Sequence, residues 1–202
     1  KAIELNPDFP DAYLNLGNLL SNNGELQEAE LSTRKAIEIK PDYAEAFWNL
    51  SLLELLQGDY KNGLENYEFR FQQKTEIIHS KPTIKKVDNQ EFQKGKKLLV
   101  VSEQGLGDTL QFMRYIPYLR TLDLDVTFSA QTKLHSLIQS SGIDSQPLTP
   151  EEASEVSEGK WLPLLSLPRY LQINPKNPII SRPYIHSTDE LRKKWKNIFS
   201  KE

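Results

Sequence analysis

Apolar positions in the first 75 residues recur at helical spacing. Leu16, Leu19 and Leu20 fall on one helical face, as do Leu50, Leu53 and Leu56. The segment Lys1-Ala2-Ile3-Glu4-Leu5-Asn6-Pro7-Asp8-Phe9 returns as Lys35-Ala36-Ile37-Glu38-Ile39-Lys40-Pro41-Asp42-Tyr43, an offset of 34 residues. In the same register Tyr13 matches Phe47, Leu16 matches Leu50, Gly24 matches Gly58 and Ala29 matches Gly63. Asn22-Asn23-Gly24 and Gln57-Gly58-Asp59 supply tight turns between paired helices. Asp8 and Asp42 follow prolines that stop the preceding helix. Each is placed to cap the next one, and Glu45 completes a capping box with Asp42. The pattern predicts helices over about 10–22, 26–39, 44–57 and 60–75, with 1–6 closing an earlier helix.

Past residue 95 the period changes. Leu98-Leu99-Val100-Val101, after Lys96-Lys97, reads as a buried parallel strand. The loop Glu103-Gln104-Gly105-Leu106-Gly107-Asp108 follows. Apolar residues at 110, 112, 113, 116 and 119 then predict a helix beginning at Thr109, bent or ended by Pro117. Asp125–Ala130 predicts a second strand, and Thr132–Ser140 a helix ended by Gly142. A short strand is expected near 145–148, an acidic loop over 151–159, and a buried strand at Trp161–Leu165 ending at Ser166-Leu167-Pro168. Pro183-Tyr184-Ile185 is expected as a further strand, and Ser187-Thr188-Asp189 as the cap of a last helix over about 189–200. Alternating strands and helices imply a parallel sheet. The expected fold class is therefore helical hairpins followed by a Rossmann-like parallel α/β domain.

Composition narrows the picture. The 202 residues are 38% hydrophobic and 26% charged, which suits one or two folded domains. The apolar runs, such as Leu98–Val101, fall far short of the roughly 20 residues a membrane helix needs, so no membrane span is expected. Nor is a signal peptide, because residue 1 opens inside a helical pattern. A cytoplasmic location is the expectation. Cysteine is absent, which removes disulfides, thiolate metal sites and cysteine nucleophiles. His79, His135 and His186 are too scattered for a local metal motif, so no metal is expected. Residues 1–78 carry 14 acids and 7 bases, a net −7, whereas 79–202 carry a net +4. The sign changes in a polar stretch holding Pro82. The expected organisation is a helical unit over 1–78, a linker over 79–95 and an α/β unit over 96–202. Neither half is basic enough to argue for nucleic acid.

The 34-residue period resembles the tetratricopeptide repeat, with two full repeats and the end of a third over about 75 residues. Asn15 and Asn49, also 34 apart, sit in Tyr13-Leu14-Asn15-Leu16-Gly17 and Phe47-Trp48-Asn49-Leu50-Ser51. This resembles the asparagine ladder of O-linked N-acetylglucosamine transferases. The resemblance implies that both amides line the inner curve of a superhelix and hold a protein or peptide by its backbone. The simpler reading is that they bond only between adjacent helices.

The loop Gly105-Leu106-Gly107-Asp108 is not the dinucleotide fingerprint, because Leu110 stands where a third glycine is needed. Nor does a Lys-Ser/Thr pair follow for a phosphate loop. The glycines still let a backbone turn sharply and approach a ligand at the carboxyl end of a strand. The run Ser102-Glu103-Gln104-Gly105-Leu106-Gly107-Asp108-Thr109-Leu110-Gln111-Phe112-Met113-Arg114-Tyr115 resembles bacterial tetratricopeptide proteins with a glycosyltransferase-like domain. These are related to heptosyltransferases, and Pro163-Leu164-Leu165-Ser166-Leu167-Pro168 matches the same family.

The resemblance implies two Rossmann-like domains of the GT-B kind, the first facing a hydroxyl acceptor and the second holding a nucleotide-sugar donor. The chain would then be the acceptor-side half within a longer protein, needing no cofactor and inactive alone. Asp108 would act as general base on the acceptor hydroxyl, or serve only as a helix cap. Glu103, Gln104, Gly105, Gly107 and Ser166 would contact the acceptor, a sugar or other hydroxyl compound. The alternative function is a non-catalytic scaffold that binds a protein or peptide.

Overall fold

In the computed structural model, residues 2–73, 78–88, 92, 94–179 and 182–200 are described. The chain divides into two compact units. One holds Lys1–Glu76 with Leu171–Pro178, the other Ile77–Tyr170 with Ile179–Glu202.

The first unit is built of helical hairpins: α1 (Ala2–Leu5), α2 (Pro10–Asn22), α3 (Leu26–Ile39), α4 (Ala44–Leu56) and α5 (Tyr60–Asn66). Gly24 and Gly58 turn the hairpins at φ +83° and +87°, a region where a side chain is strained. Leu14, Ala36 and Ala46 form a buried cluster, with Tyr13, Ile37 and Tyr43 packed around it. The expected caps do not form. Phe9 and Tyr43 occupy the N-cap positions of α2 and α4 without a side-chain bond. Asp8 and Asp42 stand one residue too early to reach the free amides. At α2, Pro10 opens the helix with its own fixed φ. Asp59 does cap α5, its side chain accepting from the Asn62 N–H at 3.2 Å. The helix expected over 60–75 stops at Asn66 and tightens into a 3₁₀ turn over Tyr67–Gln72. There Arg70 is buried between the rings of Tyr67 and Phe71 and donates to the Tyr67 carbonyl at 3.0 Å. Residues 74 and 75 lie outside the described residues.

The second unit is an open three-stranded parallel sheet in the order β2-β1-β3. Its strands are β1 (Lys97–Val101), β2 (Asp125–Ser129) and β3 (Lys160–Pro163). Val100 pairs with Phe128 on one side and Leu162 on the other. Leu98 to Val101 are all buried, so both faces of β1 are covered, as a parallel central strand requires. Leu99 and Val101 face Ala153, with Ile78, Ile84, Leu148, Val156 and Trp161 around them. The segment 78–88 lies against the sheet: Ile78 bridges to Glu103, and the Val87 N–H donates to the Trp161 carbonyl at 2.8 Å.

Several elements differ from expectation. The helix expected from Thr109 is two, α6 (Leu106–Phe112) and α7 (Tyr115–Thr121). Pro117 ends neither; it sits in the first turn of α7, where a missing N–H leaves no bond unmade. The helix at 132–140 opens as a 3₁₀ turn before α8 (His135–Ser140). The strand near 145–148 is a single bridge between Ser129 and Leu148. The acidic stretch begins as a helix, α9 (Pro150–Ser154), because Thr149 and Glu152 form a reciprocal capping box and Glu151 and Glu152 favour its amino end. The last strand is shorter than expected, closing at Pro163 into a 3₁₀ turn and α10 (Leu167–Tyr170). Pro183–Ile185 is not a strand. Tyr184 instead anchors the segment by its hydroxyl, which donates to the Leu110 carbonyl at 2.8 Å beneath the Arg114 guanidinium. The final helix, α11 (Asp189–Phe199), is capped by Thr188.

One ionised pair in the helical unit carries a pH signature. Glu54 is only 2% exposed, with Arg34 Nη2 donating to Oε1 at 2.9 Å and Asn66 Nδ2 donating to Oε2 at 2.8 Å. Burial raises its carboxyl pKa above the usual 4.5, and the Arg34 and Asn66 bonds offset only part of that. The folded state therefore holds this proton more tightly than the unfolded chain. Its stability contribution falls as pH rises from about 4.5 through the folded pKa. Glu54→Gln removes that dependence. Urea unfolding at a series of pH values is expected to show the variant gaining on the native chain across this window, then a constant difference above it.

Candidate functional site

On α2, Asp11, Asn15, Asn18 and Asn22 follow the four-three-four spacing of one helical stripe. On α4, Glu45, Asn49, Leu52 and Leu56 repeat that stripe 34 residues later. Asn49 Nδ2 donates to Asn18 Oδ1 at 2.8 Å, and the Tyr43 hydroxyl donates to Asp11 Oδ1 at 2.7 Å. The stripes are thus neighbours, Asn15 standing exposed beside an amide pair. Asn18 was missed by sequence reading, because its repeat partner is Leu52 and no 34-residue signal marks it. Its spacing of three from Asn15 on one helix was the available clue.

In the sheet unit, the candidate residues 103–108 gather at the carboxyl end of β1. The Ser102 N–H still bonds the Ser129 carbonyl at 2.9 Å. Glu103 is fully buried, and its Oε1 accepts the Leu165 N–H at 3.0 Å. That bond ties the loop to the turn holding Ser166, which is also fully buried. The chain must reverse at once to enter α6, and Gln104 takes the left-handed conformation at φ +60°. A non-glycine residue there costs about 1 kcal/mol. The expectation that the glycines make this turn is corrected. Gly105 is extended, at φ −84° and ψ 171°, and Gly107 lies within α6 with open space where a side chain would stand. Gly105 is the N-cap, and Asp108, half-buried at N3, reaches back so that Oδ2 accepts the Gly105 N–H at 2.9 Å. Gln131, just past β2, closes the loop: Thr109 Oγ1 donates to its Oε1 at 2.8 Å, and its Nε2 donates to the Gln104 carbonyl at 3.4 Å. Gln131 was also missed; its place directly after the expected strand 125–130 was the signal.

Among the described residues no cluster of three or more His, Cys, Asp or Glu side chains is placed to hold a metal ion. No described helix is long and apolar enough to cross a membrane.

Residues 1–30 match the tetratricopeptide repeat family. The helical hairpins and the 34-residue period are consistent with that match and continue the same pattern beyond residue 30. A search of curated proteins found no match. Among solved structures, a crystal structure of YrrB, described as a TPR protein with an unusual peptide-binding site, is similar at 29% identity and a TM-score of 0.35. That similarity covers 38% of this chain and 39% of YrrB.

The Asp108 geometry makes a stability prediction. Asp108→Asn keeps an oxygen that accepts the Gly105 N–H and should leave the thermal midpoint nearly unchanged. Asp108→Ala removes the acceptor and should cost about 1 kcal/mol, read by urea unfolding.

Proposed function

We propose that the tetratricopeptide unit is a scaffold that binds a protein or peptide, and that the α2–α4 face is its binding surface. The observation that carries this reading is exposed Asn15 beside the Asn49–Asn18 pair. That pair is the bond between helices that the simpler reading expects of Asn49, and no such bond is seen at Asn15 among the described residues. An amide donates and accepts at once, so each can pair with the N–H and C=O of a passing backbone. The test is selection of random peptides on the chain, followed by the Asn15→Ala, Asn49→Ala double variant. Losing several backbone hydrogen bonds should weaken the selected peptides by about tenfold or more. The fold should tolerate the change, since neither side chain is fully buried. Unchanged binding by the double variant would reject the surface.

A second reading attaches to the sheet unit, taken as the Rossmann-like, acceptor-side half of a glycosyltransferase. What favours it is Asp108, half-buried and beside the carboxyl end of a central parallel strand, where open α/β sheets take their ligands. In this reading Asp108 takes the proton of an acceptor hydroxyl, whose oxygen then bonds the donor sugar's anomeric carbon as the nucleoside diphosphate leaves. The Gly105 N–H on Oδ2 orients the carboxylate. Gln104, Gly105 and Gly107 form the rim that meets the acceptor, and enclosed Glu103 and Ser166 hold the rim in place. The nucleotide-sugar would be substrate, held by a second domain. In a protein carrying both halves, Asp108→Asn should lower turnover by about 10²-fold with the fold intact. Near-normal transfer by that variant would reduce Asp108 to a capping residue.

A further inference from the structure

The α2–α4 face has a chemical direction. Both stripes begin with an acid, Asp11 and Glu45, and continue with an amide, Asn15 and Asn49. They then diverge: α2 continues with Asn18 and Asn22, whereas α4 continues with Leu52 and Leu56, which are 38% and 68% exposed. The same helix buries Leu50 and Leu53, so the two exposed leucines are not the helix's contribution to the core. At the acidic end the Tyr43 hydroxyl fixes Asp11, and Lys40 lies over the Tyr43 ring at 4.6 Å. Glu45 makes no ion pair among the described residues. The surrounding unit, residues 1–76 and 171–178, carries 14 acids against 8 bases. Such a face repels an acidic segment, and an anionic lipid surface with it. An amphipathic helix is equally ill matched, because the stripe on α2 is polar along its whole length.

We propose that this face takes an extended peptide segment with a Lys or Arg at one end and an aliphatic side chain three to five residues away. The basic residue meets Asp11 and Glu45, the backbone runs past Asn15, Asn18 and Asn49, and the aliphatic side chain covers Leu52 and Leu56. The spacing comes from the helix. Leu52 and Leu56 lie seven and eleven residues beyond Glu45, about 10 and 16 Å at 1.5 Å per residue. An extended chain advances about 3.3 Å per residue, so three to five residues cover that span. This partner chemistry rests on the binding reading above.

The test uses the whole chain and a labelled nonapeptide with Lys and Leu four residues apart in a Gly/Ser background, followed by fluorescence anisotropy. Exchanging Lys for Glu should weaken binding by about fivefold, an effect lost in high salt. Exchanging Leu for Ser should weaken it by about tenfold. The Glu45→Lys variant should reverse the preference, so that the Glu peptide binds the tighter. Equal binding of Lys and Glu peptides, or no reversal in Glu45→Lys, would overturn the proposal. If peptides selected on the chain need Asn15 and Asn49 but show no basic–aliphatic pattern, the partner chemistry fails while the binding surface stands. If selected peptides ignore both asparagines, the surface itself fails.

Discussion

Close backbone approach inside each helical hairpin governs the rest of the helical unit. A carbon added at Gly17 would sit 2.5 Å from Thr33 Oγ1 and 3.1 Å from the Ala29 carbonyl oxygen. One added at Gly63 would meet the Leu55 side chain at 2.8 Å. The repeat partners of these glycines, Ser51 and Ala29, are also small and fully buried. Helices that meet so closely can present only one side inward, which fixes the rotation of α2 and α4 about their axes. The stripes Asp11-Asn15-Asn18-Asn22 and Glu45-Asn49-Leu52-Leu56 face outward for that reason. The exposure of these stripes is thus a consequence of small residues on the opposite side of each helix.

The sheet unit follows a different constraint. Its central strand is covered on both faces and paired on both edges, so any chemistry must be displayed where the strand ends. Two buried hydrogen bonds hold that end, Ser102 to Ser129 and Leu165 to the Glu103 carboxylate. With the chain pinned on the inside, the reversal into α6 falls on Gln104, in a conformation that ordinary residues avoid. Gln131 then bridges the loop from the neighbouring strand. The loop is therefore a braced element, and Asp108 is aimed by its bond to Gly105.

Arg120 gives the sheet unit a second brace. Its guanidinium donates to the Ile143 and Val126 carbonyls and to Asp144 Oδ2, the last at 2.6 Å. One side chain of α7 so fastens β2 and the turn after α8. Nothing in the hydrophobic pattern marks it, because Arg120 reads as an ordinary polar position at the end of a helix.

The sequence by itself determined what is local and periodic. The 34-residue repeat placed α2 to α4 within a residue or so of where they lie, because apolar spacing and glycine turns act over a few neighbours. The runs at 98–101 and 125–130 likewise declared themselves as strands through β-branched and apolar residues between turns. Only the tertiary structure decided matters that depend on residues distant in the chain. Asp8 and Asp42 looked like caps, yet the N-cap positions fall one residue later, on Phe9 and Tyr43. Glu103 looked like a sugar-binding acid, yet its partner is the amide of Leu165, 62 residues on. Asn49 reaches Asn18 rather than its own repeat partner. A hydrogen bond between distant residues leaves no periodic trace, since its partners come together only when the intervening chain has folded, and no window of neighbouring residues contains both.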